Sequence, residues 1–523
     1  MKSIYRILIL FFVFPPLLTL AQQRWDVYLG NPSIDDYPSS VIESYDKGYL
    51  ITGSNSDNLG YLIKTDVNGN ETWNKSFQTN NEVTTFLTMA QDSLGGTVLA
   101  GDAYNPLILY LNPCGELVWC NKIVNEENFI WGQFLDVKIV GENIYALADF
   151  TTTELKTAVY LFNFNFSGNL LWMKQYGNVD NDPYLRDFAG ARLDFYSGSA
   201  FISGWGGYAY PDKPNSFYPR AMFVKIDNQF NEEWFLPYGM YDSLAGIARG
   251  VIRLNDSMYR GFGSYYVNGS DTLNTVFYNL TGSGQETYFQ NVPNHSISEE
   301  VNDNYLIGLE IMNDSSYLIS AKVGTSLYYN PMGEWTMDTG GLVYNYQNHT
   351  NTFPALYPTC KTKNDKYVFS VQYQNDNYKD ILLYKLNPDL SQAEIDNTAY
   401  VYDSLCDNPI VSDTIYLDGC GIITDLRDIP SPTEYYSYIS TIPVHIFPNP
   451  ATSGITFEFG NTEYHKDILL RCYDINGRMV YEQTLPPSQT QIKTSVSNWQ
   501  SGIYVATASS REGGTGKEKF VVR

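Results

Sequence analysis

One pattern recurs through most of this chain at irregular steps of roughly 45 to 60 residues, and it constrains the fold more than any other feature. Each copy has a strand ending in small residues, a second apolar strand, a turn and an aromatic strand. The first runs Tyr49 to Gly53, Tyr61 to Lys64, the turn Asp66-Val67-Asn68-Gly69, then Trp73 and Phe77. The second has Val98 to Gly101, Leu107 to Leu111, Gly115 and Trp119; the third has Tyr145 to Ala148, Val159 to Phe162, Gly168, Trp172 and Tyr176. Phe201 to Gly204, Met222 to Ile226, Trp234 and Tyr238 make a fourth, and Tyr259 to Gly263, Val276 to Tyr278, Gly284 and Tyr288 a fifth. Two weaker copies follow, through Tyr317 to Ser320, Leu327 to Tyr329 and Gly333, and through Tyr367 to Ser370 and Leu382 to Leu386.

In four copies the turn glycine precedes the aromatic at one spacing (Gly69 and Trp73, Gly115 and Trp119, Gly168 and Trp172, Gly284 and Tyr288), as expected where glycine takes positive φ and the next strand folds back. A further strand-like stretch lies upstream of each pair, for example Leu135 to Ile139 or Gly250 to Leu254. Four strands per unit, repeated about seven times, predict an all-β chain whose body is a β-propeller of seven blades, with six or eight as the neighbouring counts. Trp25 to Gly30 matches the tail of a repeat yet stands alone, while the seventh copy lacks such a tail. An orphan last strand is what a ring needs to join its first and last blades and remove exposed edges. The repeated tryptophans are expected to pack between blades, and the Asp-Val-Asn-Gly turn lacks the ligand spacing of a calcium loop.

Composition agrees with strands and excludes several functions. Tyr (44), Phe (27) and Gly (40) are abundant, which suits pleated strands and tight turns. A formal charge of −24 without a basic patch argues against nucleic acid and anionic membranes as partners. Lys2 and Arg6 precede an apolar run to Leu20, about 14 residues and too short for the roughly 20 of a membrane span, so residues 1–21 read as a signal peptide cleaved between Ala21 and Gln22. No later segment reads as a transmembrane span. In an exported chain cysteines pair, and spacing favours Cys406 with Cys420 and Cys114 with Cys120, leaving Cys360 and Cys472 free. His295, His349, His445 and His465 are scattered, and no Cys-x-x-Cys pair occurs; neither a metal site nor a cofactor is expected.

The body is expected to span 22–420, followed by a linker over 421–441, rich in Ser, Thr, Pro and acidic residues, and a strand-rich unit over 442–523. In that unit stand Phe447-Pro448-Asn449-Pro450, Asp474-Ile475-Asn476-Gly477-Arg478, Ser501-Gly502-Ile503-Tyr504 and Lys519-Phe520-Val521-Val522-Arg523. Asn476-Gly477 between two apolar runs predicts a hairpin, and the alternation in Ile455 to Phe459 predicts one buried face, hence a small immunoglobulin-like β-sandwich. Together the four blocks resemble the type A sorting domain of the type IX (Por) secretion system of Bacteroidetes. The resemblance implies the secretion machinery as a partner, passage through the periplasm, and delivery outside the cell or onto its surface. It covers only about the last 80 residues. Asp-Ser/Thr followed by an apolar residue, at Ser93, Ser243, Ser257, Thr272, Ser404 and Thr414, resembles the O-glycosylation signal of the same bacteria, although Asp-Ser also favours turns.

No nucleophile elbow, zinc signature, phosphate loop or Ser/His/Asp set appears, so no catalytic residue is assigned. The expected role is non-catalytic binding of an extracellular glycan or protein by the loop-rich face. The rival is a polysaccharide hydrolase or lyase using carboxylates at the propeller axis.

Overall fold

The computed structural model describes residues 25–523 apart from 81, 125–128, 153–155, 178–184, 197–198, 211–212, 239–245, 256, 267–272, 292–302, 314, 325–330, 376, 425, 427–428, 463–464, 466, 476, 487–488 and 511–512. The segment read as a signal peptide with Ala21 and Gln22, the hydroxyls Ser243 and Thr272, and the stretch Leu327 to Tyr329 therefore lie outside the described residues.

Seven antiparallel four-stranded units follow one another, with first strands Asp36–Glu43, Thr85–Gln91, Phe129–Val140, Leu185–Tyr196, Gly246–Asn255, Asp303–Asn313 and Thr352–Lys361. We number them sheets 1 to 7. The last is completed by the orphan strand Asp26–Leu29, which pairs antiparallel with Lys379–Leu386 in the register Asp26 to Tyr384 and Leu29 to Ile381. Seven apolar cores fill the spaces between sheets. Trp73 and Phe77 meet Phe86 and Leu99 between sheets 1 and 2, Trp172 and Tyr176 meet Phe188 and Met222 between 3 and 4, and Trp25 and Leu383 meet Tyr49 and Ile51 between 7 and 1. The remaining four join 2 to 3, 4 to 5, 5 to 6 and 6 to 7, so every sheet packs on two neighbours and the ring closes. Middle strands such as Gly60–Thr65 are buried along their whole length because both faces are covered, and so they read as unbroken apolar runs.

The four turn glycines have φ of 83°, 71°, 82° and 84°, and Phe230 takes the same place in sheet 4 at 61°. An Asx oxygen holds each turn except that of Gly284, where the Thr281 hydroxyl accepts instead; in the first, Asp66 Oδ1 accepts from the N–H of Asn68 (2.8 Å) and of Asn70 (2.9 Å), which is turn chemistry. The sixth copy departs from the expected register. Its third strand is Met332–Asp338 and its turn glycine is Gly341, so Gly333 lies inside a strand. Tyr and Gly recur too often in this region for spacing to select one alignment.

Beyond Leu386 the chain does not leave the ring. It forms a belt along the outer edges, where Asp413–Tyr416 pairs parallel with Glu71–Gln78 of sheet 1 and Gly421–Ile423 pairs parallel with Leu117–Ile123 of sheet 2. Lys75 holds the belt through Asp413 and the Val411 carbonyl, both at 2.7 Å. The stretch expected as a linker instead continues the belt and carries the helix Pro432–Ser440. Ser431 caps that helix in a reciprocal capping box with Glu434, and Tyr435 and Tyr436 pack on the core between sheets 3 and 4.

The belt corrects the disulfide pairing. Cys114 joins Cys406 and Cys120 joins Cys420, with Cα separations of 5.5 and 4.8 Å. The expected bridges Cys406–Cys420 and Cys114–Cys120 are absent because the belt runs alongside sheet 2 and brings each distant cysteine nearer than the local one. Cys360 and Cys472 are free.

The C-terminal unit is a three-stranded sheet (Val444–Phe447, Gly454–Phe459, Gln491–Ser495) and a four-stranded one (Ile468–Asp474, Met479–Leu485, Gly502–Ser509, Thr515–Val522). They enclose a core containing Phe457, Leu470, Tyr504 and Phe520.

Candidate functional site

The first strands of the sheets converge on the axis, and each carries a β-bulge at an equivalent place, between Pro38 and Ser40, Phe86 and Thr88, Phe134 and Asp136, Gly190 and Arg192, Ala248 and Gly250, Leu306 and Gly308, and Pro354 and Thr359. A bulge bends its strand and re-aims the next side chains, here toward the channel. Tyr357, within the seventh bulge, crosses the axis. Its hydroxyl lies 2.7 Å from the carbonyls of Leu135 and of Ala191, the bulge residues of sheets 3 and 4, and shares its one proton between them. Burial, reinforced by Asp136, pushes its pKa well above that of an ordinary phenol, so it stays a donor.

Tyr357 separates two compartments. The lower, about 140 Å³, is lined by Ser40, Thr88, Asp136, Lys138, Arg192 and Glu310. Three axial aspartates are already occupied by backbone N–H groups of the next sheet or strand. Asp136, 1 % exposed, accepts from Leu193 N–H (2.9 Å) and from Lys138 Nζ (2.9 Å). Asp194 accepts from Val251 N–H (2.9 Å) and Arg192 Nε (3.0 Å), and Asp149 from Gly190 N–H (2.8 Å). Burial opposes the charge on Arg192, but Asp194, Glu310 and Asp136 outweigh it and hold its pKa above the ordinary value. Glu310 differs: burial raises its carboxyl pKa more than Arg192, Lys138 and Lys361 lower it. The carboxylates at the axis are thus mainly inter-sheet fasteners, which composition could not reveal: Asp136 directly follows the bulge residue Leu135 whereas Asp194 stands three residues after the bulge residue Ala191, so no common spacing marks them.

The upper compartment, about 270 Å³, lies on the face of the inter-sheet connections and is walled by Trp131, Gln133, Asp149, Trp205 and Arg249. Trp131 is 38 % exposed, and the Arg249 guanidinium hydrogen-bonds the Tyr305 hydroxyl and lies 4.8 Å over that ring. The repeat tryptophans contribute nothing here; Trp131 and Trp205 fall outside the repeated position and were not singled out by it.

In the C-terminal unit the four separate motif blocks become neighbours. Asn449, between Pro448 and Pro450, accepts from Val521 N–H (3.0 Å) and donates to the Lys519 carbonyl (3.3 Å). Asp474 pairs with Tyr504, and Val505 with Lys519, across adjacent strands. Asp474 also holds its turn, accepting from Arg478 N–H (3.0 Å), with Gly477 at φ 79° and Gly502 opening the next strand. The Tyr504 hydroxyl donates to the Gln500 carbonyl at 2.6 Å. Of the hydroxyls in the Asp-Ser/Thr pattern, Ser93, Ser257, Ser404 and Thr414 are exposed. Among the described residues no group of three His, Cys, Asp or Glu side chains could hold a metal, and no helix is long and apolar enough to cross a membrane.

Sheet order and the seven inter-sheet cores define a β-propeller protein with an appended β-sandwich. Residues 445–523 match the secretion system C-terminal sorting domain, the Por secretion tail, which marks the chain as type IX secretion cargo directed to the cell surface or extracellular space. No curated protein matches the sequence. Among solved structures, the extracellular domain of a putative one component system from B. thetaiotaomicron is similar at 10% identity and TM-score 0.40, over 96% of this chain and 58% of that one. This chain therefore spans little more than half of that relative. The β-propeller domain of the Trilobed protease from Pyrococcus furiosus is similar at 8% identity and TM-score 0.39, over 72% of this chain and 98% of that one. A subtype N11 neuraminidase-like protein of a flat-faced bat influenza virus gives 9% and 0.33, over 71% and 94%.

Proposed function

We propose that this exported propeller is a non-catalytic binding module for an extracellular glycan or protein, with the upper axial compartment as its contact point. The observation that carries the reading is the state of the axial aspartates. Asp136, Asp149 and Asp194 accept hydrogen bonds from backbone N–H groups of neighbouring sheets, an arrangement that suits fastening better than the free acid and base pair of polysaccharide hydrolysis. Trp131 and Trp205 offer amphipathic ring faces at the mouth, and Gln133 and Arg249 offer donors, the mixture of apolar walls and few polar groups common to ligand sites. The exposed Ser93, Ser257, Ser404 and Thr414 are proposed O-glycosylation sites, to be read out as added mass on protein from the native secretome.

The test is a glycan and protein array probed with the full mature chain, alongside assays for new reducing ends in polysaccharide. Binding that disappears on combining Trp131→Ala with Trp205→Ala, with no reducing ends formed, is the expected result. Polysaccharide cleavage that is abolished by Glu310→Gln would overturn it in favour of the hydrolase.

A further inference from the structure

A cavity larger than either axial compartment lies away from the axis. It lies at the outer edge of the ring between sheets 6 and 7, encloses about 530 Å³, and uses the closing strand Asp26–Leu29 as one wall. Its size falls in the range of about 300–1,000 Å³ usual for small-molecule sites, which the axial compartments do not reach. We propose that this cavity is a second ligand site, separate from the axis, and that it takes a neutral oligosaccharide.

Behind His349, which lines the cavity, stands a buried carboxylate. Glu334 is fully buried, accepts a hydrogen bond from the Tyr384 hydroxyl, and has its other oxygen 3.2 Å from His349 Nε2. The His349 ring packs on Tyr384 with centroids 4.2 Å apart, and Gln347 lies 2.8 Å from the same His349 nitrogen. His349, the one basic side chain at the cavity, already faces the Glu334 carboxylate, and among the described residues that line it none is Lys or Arg. Nothing is left to pair with an anionic ligand, and the Asp26 carboxylate, which accepts from the Gln392 amide, repels one.

Apart from Leu382, Leu386 and Leu390, the remaining lining is mainly amide and hydroxyl. Gln347, Asn348, Thr350, Ser391 and Gln392 supply donors and acceptors without net charge. Tyr28 and Tyr373 stand edge to face with centroids 5.0 Å apart, and Tyr28 is 57 % exposed, presenting a ring to whatever enters. Uncharged hydrogen-bonding groups opposite an aromatic ring match a sugar, which has hydroxyls on its rim and C–H groups on its faces. A polar concavity of this size is a poor fit to a flat protein surface.

The site exists only when the closing strand is in place, because Asp26 and Tyr28 belong to it. Ligand binding should therefore stabilise the closed ring by linkage. The experiment uses the full mature chain with cellotriose, maltotriose, xylotriose, laminaritriose and N-acetylchitotriose, read by calorimetry and by thermal shift. At least one trisaccharide is expected to bind and raise the melting temperature, and a trigalacturonate control should bind at least about tenfold more weakly. Tyr28→Ala and Gln347→Ala should each weaken binding by about tenfold or more, while Tyr104→Ala, an exposed tyrosine on sheet 2, should leave it unchanged. Absence of binding for all five sugars up to about 10 mM would overturn the proposal. So would binding that survives both cavity variants but is lost in the Trp131→Ala, Trp205→Ala protein, which would assign the sugar to the axis instead.

Discussion

Pairing of the four disulfide cysteines can be decided by experiment, because the two pairings constrain the unfolded chain by different amounts. Cys114–Cys406 and Cys120–Cys420 close loops with sequence separations of 292 and 300. By loop entropy the first such bridge is worth about 5–6 kcal/mol, and with it formed the second closes only about 20 further residues and adds about 3 kcal/mol. The local alternative, Cys114–Cys120 with Cys406–Cys420, closes two short loops worth about 5 kcal/mol together. Removing the second long-range bridge by Cys120→Ser with Cys420→Ser should therefore cost about 3 kcal/mol, a fall in urea midpoint of about 1 M if m is about 3 kcal/mol/M. The belt would stay tied at Cys406. Digestion of the unreduced protein followed by mass spectrometry should yield Cys114 peptides linked to Cys406 and Cys120 peptides linked to Cys420. A Cys114–Cys120 or Cys406–Cys420 peptide, or a double variant with an unchanged midpoint, would refute the reasoning.

Four further outcomes follow, three of them from particular contacts. Tyr357→Phe leaves the Leu135 and Ala191 carbonyls without their shared donor across the axis and should cost about 1–3 kcal/mol in chemical unfolding, a loss that an unchanged midpoint would contradict. Burial alone would lower the His349 pKa, but the hydrogen bond and charge of Glu334 raise it above its ordinary 6.5, so the pair's stabilisation is complete below about 6.5 and is lost as pH rises through the raised value. Melting temperature should fall across that window, and His349→Gln should flatten the fall; parallel curves would count against the pair. Gly69→Ala forces a side chain into φ of 83° and to within 3.0 Å of Trp25 and Val27, with an expected cost of about 1–2 kcal/mol in thermal or urea unfolding. Deletion of residues 442–523 should strand the protein in the periplasm, and undiminished appearance outside the cell, by fractionation and immunoblot, would contradict its role as cargo.

What the chain discloses by itself is whatever depends on short-range periodicity. The turn glycines Gly69, Gly115, Gly168 and Gly284 announce themselves because only glycine takes positive φ at little cost, and middle strands read as apolar runs because both their faces are covered. The orphan strand at Trp25 to Gly30 is legible for the same reason, as is the sorting domain, whose blocks keep a fixed order. Contacts between residues hundreds of positions apart leave no such trace. Spacing favoured Cys406 with Cys420, whereas the path of the belt decided Cys120 with Cys420, and residues 421–441 look like a linker because their partners lie on sheets 2 to 4. Tyr357 is one tyrosine among 44 until the ring closes and points it across the axis. The cavity beside His349 likewise exists only where the two ends of the ring meet, and a local pattern carries no information about a surface assembled by closure.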